Sequence, residues 1–285
     1  MKLYALTAIT MVAFAGNSLL CRLALDKAEL DPSSFTSIRI LSGALVLWFI
    51  VIFSKSSSSK VTTEDIKQSL TGAWISAFSL FTYAACFSYA YVNLTTAMGA
   101  LLLFSAVQAT MIGHAIWSGD KLRSQQILGL FLALTGLTYL LWPGLSAPPI
   151  KDSIIMIISG IAWGVYSLKG RGTDDPSSVT TINFIKAVPF AVILSLATLS
   201  NINLSQTGIW AAIASGAITS ALGYTLWYRV LPSLKSTTAA TVQLSVPVIA
   251  AFAGVIFLNE AATLHMVLAS VAIIGGIALV ITQKQ

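Results

Sequence analysis

The chain has 285 residues, of which 56% are hydrophobic and only 9% are charged, and its mean hydropathy is +0.84. Soluble domains carry about 25% charged residues, so this composition excludes a soluble globular protein. The net charge of +6 comes from basic residues that stand singly or in pairs between apolar runs, which favours membrane orientation over nucleic-acid binding. The two cysteines, Cys21 and Cys86, lie in apolar runs and predict neither a disulfide framework nor a metal site.

Ten apolar segments follow one another along the chain, and a helix needs about 20 apolar residues to cross a bilayer. They lie at residues 3–25, 34–53, 71–92, 95–117, 126–142, 153–168, 178–199, 208–230, 236–258 and 263–282. No A-x-A cleavage pattern follows the first segment, so it is predicted to be a retained helix. The connections are short, and the longest is residues 55–68. The sequence therefore predicts an all-α integral membrane protein with ten transmembrane helices and no soluble catalytic domain.

The lysines and arginines predict how the helices are oriented. If the N-terminus is cytoplasmic, about eleven of them lie near cytoplasmic helix ends and about three lie outside, which is a strong positive-inside bias. Both termini are therefore predicted to be cytoplasmic. The two remaining basic residues, Arg39 and Lys186, fall within predicted helices.

The second half of the chain repeats the first. The segment DPSSFTSIR at residues 31–39 recurs as DPSSVTTIN at residues 175–183, and in both copies it leads from a loop into a helix. Residues 95–97 match 237–239, and Asp120 with its following glycines matches Glu260 with Ala269 and Gly276. A repeat of five helices must enter the membrane in the opposite orientation, because five is odd. Such inverted repeats are typical of secondary transporters, although duplication also produces channels and symmetric scaffolds.

Several motifs accompany this duplication. They are Ala15-Gly16-Asn17, Trp163-Gly164, Arg39, and the run from Pro247 through Asn259-Glu260 to Gly275-Gly276. With these motifs the sequence resembles the drug/metabolite transporter superfamily, specifically its EamA-type exporters, over nearly the whole chain. It departs from the family pattern at Ala15, where the family often has tryptophan, and at Asn259, where glycine usually precedes the acidic residue.

The resemblance implies an EamA-like five-helix repeat at residues 1–145 and a second at residues 146–285. It also implies a multi-pass protein of the plasma membrane, the inner membrane in a bacterium, that exports a small-molecule substrate. The superfamily carries amino acids, cationic drugs, nucleotide sugars and phosphate esters, so the resemblance leaves the substrate open.

The two intramembrane cations indicate a substrate site. A charge at mid-membrane costs at least about 2.5 kcal/mol and is expected to face the bundle interior. Arg39, Lys186 and Asn183, which is the repeat partner of Arg39, are predicted to cradle a carboxylate or a phosphate. The alternatives are that Arg39 binds backbone carbonyls and that Lys186 extends toward the interface.

Three further residues complete the predicted site. Asn17 follows a glycine in helix one, Trp163 lies in the short and glycine-rich helix six, and Tyr83 lies in the middle of helix three. Short or glycine-interrupted helices in matching positions of two halves indicate a transport site. Ordinary packing is the alternative for the two aromatic residues. The predicted substrate-binding residues are thus Asn17, Arg39, Tyr83, Trp163, Asn183 and Lys186, with no metal and no cofactor.

The acidic residues limit the mechanism. All ten fall in predicted loops or at helix ends, so a proton relay through a buried carboxylate, or a cationic-drug pump built on one, is disfavoured. Two isolated histidines without a buried acid do not provide an enzyme active site, and no G-x-x-x-x-G-K-[ST] motif predicts ATP hydrolysis.

The sequence therefore predicts a transporter, and not an enzyme, that exports amino acids or related carboxylates by alternating access. An antiporter of phosphate-bearing or nucleotide-linked metabolites is the alternative, and a passive channel is the competitor from another class. The predicted partners are the substrate and the lipid bilayer, without nucleic acid, in a monomer or homodimer.

Overall fold

The computed structural model of the protein describes residues 2–54, 63–118, 124–142, 147–170, 175–230, 233, 242–243 and 245–282. Over these residues the chain forms helices and turns, with no strands. The helices are α1 (Lys2–Arg22), α2 (Pro32–Ser54), α3 (Thr63–Ala90), α4 (Thr96–Trp117), α5 (Ser124–Leu141), α6 (Ile150–Lys169), α7 (Pro176–Ala197), α8 (Gln206–Val230), α9 (Ser245–Leu258) and α10 (Leu264–Thr282). A π-helical turn, Leu23–Lys27, extends α1, and a π-helical segment, Ser215–Leu222, interrupts α8.

Eight of these helices, α1 to α8, are long and apolar enough to cross a membrane. The last two are shorter apolar helices within the described residues, and the predicted start of the ninth segment, residues 236–241, lies outside them. Helix α3 begins at Thr63, eight residues before the predicted segment, and has 28 residues. A helix of that length spans roughly 42 Å, which exceeds the hydrocarbon core, so hydropathy detected only its apolar part.

The surface of the bundle is apolar. Large side chains such as Phe131, Phe252 and Val271 are exposed, whereas the buried positions of α5 are Gly129, Gly136 and Leu140. A Cβ atom added to Gly276 of α10 would collide with the α5 backbone, so the two helices are in close backbone contact. Small residues at helix contacts and large ones facing outward are typical of membrane helices.

Contacts at one end of the bundle establish that consecutive helices run antiparallel. We call this end the rim; odd-numbered helices end there and even-numbered helices begin there. Arg22 at the end of α1 donates to the carbonyl oxygens of Tyr91 and Val92, which follow α3. The backbone N–H of Asp31 before α2 donates to the carbonyl of Asn203 before α8. The helices therefore cross the bundle alternately up and down.

The helix pairing is symmetric between the two halves of the chain. Helices α2 and α7 pack together, as do α4 and α9, and α5 and α10. The pair α3 and α6 has a counterpart in α8 and α1, and the pair α4 and α6 has one in α9 and α1. For these pairs, exchanging each helix with the one five places later thus gives another observed pair.

Candidate functional site

An enclosed space lies in the middle of the bundle, where four helices from the first two-thirds of the chain meet α8. Its lining is aromatic except for one amide and one leucine. The lining residues are Phe14 and Asn17 of α1, Tyr83 and Phe87 of α3, Leu103 and Phe104 of α4, Trp163 of α6, and Tyr224 of α8. The volume is about 10 Å³, which is close to the space that one water molecule needs. The side chains therefore fill the space, and a substrate requires the helices to separate.

The aromatic rings in this lining pack on one another. The ring centroid of Trp163 lies 4.8 Å from those of both Tyr83 and Tyr224. Phe14 meets Trp163 edge-on at 6.0 Å. The hydroxyl of Ser159 on α6 donates to the carbonyl of Tyr83 at 2.8 Å, which fixes α3 against α6. Tilted and edge-on rings at these distances attract one another, so the cluster forms a continuous apolar wall.

The guanidinium of Arg39 lies against this wall and is only 2% exposed. Its Nη2 donates to the hydroxyl oxygens of Tyr83 at 2.9 Å and Tyr224 at 3.3 Å, and its Nε donates to Ser220 Oγ at 3.1 Å. The cation also lies 5.0 Å from the ring centroid of Phe87. Arg39 thus connects α2 with α3 of its own half and with α8 of the other half.

The charge of Arg39 has no carboxylate partner among the described residues. The ion pairs found there involve Arg22 and Lys27 at the rim. Neutral hydroxyl groups and aromatic rings surround the guanidinium instead, and its Nη1 atom makes no hydrogen bond to any residue that the structure describes. A desolvated charge without a counter-ion is costly. This environment is therefore suited to receive an anion.

A second polar cluster adjoins Arg39. The side chain of Asn17 is 2% exposed, and its Oδ1 accepts hydrogen bonds from Ser215 at 2.8 Å, from Thr219, and from Ser220 at 3.3 Å. All three hydroxyl groups belong to the π-helical segment of α8. They connect α1 of the first half to α8 of the second.

The π-helical geometry is what brings these hydroxyl groups together. In an α-helix Ser220 would point about 140° away from Ser215, whereas the wider turn of a π-helix brings residues five apart closer to a common face. Gly216 allows α2 to approach, because a Cβ atom there would collide with the carbonyl of Arg39. The segment therefore places Ser220 beside both Asn17 and Arg39.

The structure distributes the six predicted site residues over different places. Asn17, Tyr83 and Trp163 line the enclosed space, and Arg39 binds Tyr83 in its wall. Asn183 is buried in α7 but is not among the lining residues, although the adjacent Phe184 packs on Tyr224.

Lys186 is only half-buried, and its Nζ lies 4.9 Å from the ring centroid of Trp74. Trp74 is 48% exposed and also packs on Phe190. Lys186 therefore lies where α3 and α7 meet near the outer surface of the bundle, and it does not line the enclosed space.

Sequence reasoning did not identify several residues of the site. They are Phe14, Phe87, Leu103, Phe104, Ser215, Thr219, Ser220 and Tyr224. A signal did exist for Tyr224, because the repeat register of roughly 140 to 144 positions aligns it with Tyr83 and Ser220 with Ser79. No comparable signal existed for the π-helical segment.

Comparison with known proteins gives consistent results for family and fold. A family model described as the EamA-like transporter family matches residues 1–142 and 151–282. An uncharacterized protein of Pseudomonas aeruginosa is 45% identical over 279 residues, which are 98% of this chain and 94% of that protein. A crystal structure aligns with a TM-score of 0.62 at 17% identity and covers 96% of both chains, which indicates a shared fold.

Two further relatives have transporter names. An uncharacterized transporter of Archaeoglobus fulgidus is 25% identical, over 100% of this chain and 98% of its own. The threonine/homoserine exporter RhtA of Salmonella typhimurium is 29% identical over 161 residues, which are 54% of this chain and 53% of that exporter.

Proposed function

This chain belongs to the EamA-like transporter family, and from that premise we propose that it exports amino acids or related carboxylates by alternating access. The observation that carries the proposal is the buried guanidinium of Arg39, which has no carboxylate partner among the described residues. A carboxylate from a substrate would supply the missing negative charge. Arginine suits this role because its fork of donors matches the two oxygens of a carboxylate.

The surroundings of Arg39 favour a carboxylate over a phosphate ester. Arg39 is the cation that the structure places against the enclosed space, and its other neighbours are neutral. One cation balances a monoanion, whereas a phosphate monoester carries up to two charges and usually requires further cations. The aromatic lining is suited to the apolar part of an amino acid. The name of the relative RhtA, a threonine/homoserine exporter, supports the same substrate class.

The alternating-access mechanism is proposed together with ten transmembrane helices in two inverted repeats, at residues 1–145 and 146–285. The symmetric helix pairing and the two separate family matches support this division. The positive-inside bias supports cytoplasmic termini in a plasma-membrane protein, and it places the rim on the outer face.

The small enclosed volume also supports alternating access over a passive channel. Among the described residues, the packed rings leave space for about one water molecule at this place, which is too little for a file of water. Transport through such a bundle requires a change of conformation that opens one side at a time.

Counterflow in proteoliposomes tests the proposal. Vesicles are preloaded separately with L-threonine, L-phenylalanine, glycerol 3-phosphate or phenethylamine, and uptake of the same labelled solute is measured for the wild-type protein and for Arg39→Gln. We expect saturable exchange of the two amino acids and a loss of at least tenfold in the variant.

Three results would contradict the proposal. Exchange of the amine alone would indicate a cation exporter, and exchange of the phosphate ester alone would favour the alternative substrate class. Uptake that neither saturates nor requires preloading would indicate a channel.

A further inference from the structure

Ser220 occupies the junction between the two polar clusters of the site. Its oxygen accepts a hydrogen bond from Arg39 Nε at 3.1 Å, and its hydroxyl faces Asn17 Oδ1 at 3.3 Å. Among the described residues that bind Asn17, Ser220 is the one that also contacts the buried cation. Its hydroxyl is therefore close to the position where an anion would meet Arg39.

Three hydroxyl groups lie within hydrogen-bond distance of Asn17 Oδ1, which is more than this oxygen can accept with good geometry. An amide oxygen has two lone pairs, and Ser215 and Thr219 donate to it at shorter distances than Ser220 does. Ser220 can therefore turn its hydroxyl hydrogen to another acceptor while Asn17 keeps the hydrogen bond from Ser215 and shares the Thr219 hydroxyl with the carbonyl of Ser215. A buried acceptor that stays paired makes this exchange inexpensive.

We infer that Ser220 is a substrate-binding residue, which donates to one oxygen of the substrate carboxylate while the guanidinium of Arg39 donates to the other. This inference rests on the proposed function. The Nη1 atom makes no hydrogen bond among the described residues, so both donors are available without breaking an existing short bond. The π-helical segment then has a role in specificity, because an α-helical turn would carry Ser220 away from Arg39.

The test compares two serines of the same segment in the counterflow assay with L-threonine and L-phenylalanine. We expect Ser220→Ala to raise KM about tenfold with a maximal rate within about twofold, since a hydrogen bond to a charged ligand is lost. Ser215→Ala is the comparison variant, because Ser215 binds Asn17 without contacting Arg39, and its KM should rise less than that of Ser220→Ala. Ser220→Thr retains the hydroxyl group and should recover most of the affinity.

Equal KM values for the two alanine variants, or a loss confined to the maximal rate of Ser220→Ala, would overturn the role of Ser220. Either result would leave the proposed function intact if Arg39→Gln still abolishes exchange. A wild-type protein without amino-acid exchange would instead overturn the proposed function itself.

A different observation concerns the rim. Arg22 and Glu260 form an ion pair with 3.5 Å between Nε and Oε1, and their side chains are only 13% and 11% exposed. The contact is electrostatic, because Nε makes no hydrogen bond to a described residue. The Glu260 carboxylate also accepts hydrogen bonds from the backbone N–H of Thr96 at 2.9 Å and from its hydroxyl at 3.0 Å. Thr96 begins α4, so the carboxylate also interacts favourably with a helix N-terminus.

The local backbone is built to hold Glu260 in this place. Asn259 has φ of 55°, in the left-handed region that asparagine tolerates better than most residues, which explains how the turn forms without the glycine of the family pattern. Gly254 leaves the space that the Glu260 carboxylate occupies, because a Cβ atom there would collide with it.

The ion pair connects the two halves at the rim. Arg22 ends α1 and also binds the turn after α3, whereas Glu260 lies between α9 and α10. Asn17 lies five residues before Arg22, which is about 7.5 Å along the helix. Between them Cys21 is fully buried. We propose, on the basis of the proposed function, that the Arg22–Glu260 pair is the outer gate, which must break before substrate leaves.

Cys21 provides a readout of this gate that does not depend on transport. In a Cys86→Ser background Cys21 is the one remaining cysteine of the chain, and a membrane-impermeant maleimide is added to right-side-out or to inside-out vesicles. We expect Glu260→Gln to accelerate labelling from the outside about tenfold. Asp26→Asn is the matched control, since it removes an ion pair of Arg22 within α1 and its extension but none between the halves, and it should change the rate less than about twofold.

A second variant tests whether faster labelling of Glu260→Gln comes from loss of the ion pair and not from misfolding. Arg22→Gln removes the pair from the other side together with the other contacts of Arg22, so the double variant should label no faster than Arg22→Gln alone. Equal labelling of Glu260→Gln and Asp26→Asn, or additive effects in the double variant, would overturn the gate. Faster labelling only in inside-out vesicles would overturn the proposed orientation instead.

Discussion

Arg39 and Lys186 are both basic residues within membrane helices, and the two helices, α2 and α7, are equivalent in the repeat, yet the environments of the two residues differ. Arg39 is almost fully buried, contacts three helices, and binds the hydroxyl groups of Ser220, Tyr83 and Tyr224. Lys186 is half-buried and lies over Trp74 at the surface between α3 and α7. Position within a membrane helix therefore does not by itself determine whether a cation faces the interior of the bundle. The neighbouring helices differ, with hydroxyl groups beside Arg39 and an aromatic ring beside Lys186.

The largest effect in this comparison is expected for Arg39→Lys. The variant keeps the charge but loses the planar fork that binds Ser220, Tyr83 and Tyr224 together. Loss of two of these three hydrogen bonds to a charged group corresponds to about 3 kcal/mol or more. We therefore expect an increase in KM of at least about 100-fold. Counterflow of L-phenylalanine measures it. A KM close to that of the wild type would mean that charge alone suffices and that Lys186 could act in the same way.

A smaller and graded effect is expected for the two tyrosines that hold Arg39. Tyr83 accepts from Nη2 at 2.9 Å and Tyr224 at 3.3 Å, so the first bond is the stronger one. We expect Tyr83→Phe to raise KM about tenfold and Tyr224→Phe about threefold. Saturation curves for the two purified variants give the comparison. The reverse order would indicate that Tyr224 binds the substrate more directly than it supports Arg39.

The smallest effect is expected for Lys186→Met. This change removes a contact between a cation and an aromatic ring, which is worth about 0.5 to 1 kcal/mol at an exposed site. We expect a KM within about twofold of the wild type and a decrease of a few degrees at most in the melting temperature in detergent. A loss of exchange as large as that of Arg39→Lys would support the substrate site with two cations that the sequence predicts, with Lys186 as a substrate ligand.

The sequence was most informative about properties that depend on composition and on short motifs. Membrane character followed from hydropathy, and the expected family is confirmed by the match to both halves of the chain. Asn17, Tyr83, Trp163 and Arg39 were found because a glycine-interrupted helix and a buried charge are visible in a sequence. Their part in substrate binding stays a prediction, as do the roles of the remaining predicted residues.

Other features of the site could not be derived from the sequence. An α-helical register predicts that Ser215 and Ser220 lie on different faces, so the π-helical segment hid their common contact with Asn17. Nothing in the sequence distinguishes the phenylalanines of the lining from those that face outward. Only the packing of α1, α3 and α4 separates the two groups. The relation between Glu260 and Arg22 depends on two turns far apart in the chain.

The small volume at the centre of the bundle has a consequence for the energy balance of a cell. Protons and sodium ions cross a membrane protein readily when a file of water connects both sides, and such a leak dissipates the membrane potential. Among the described residues, packed rings leave room for about one water molecule at this place, which is too little for such a file. We therefore expect the protein at rest to dissipate little of the electrochemical gradient, even when a membrane holds many copies.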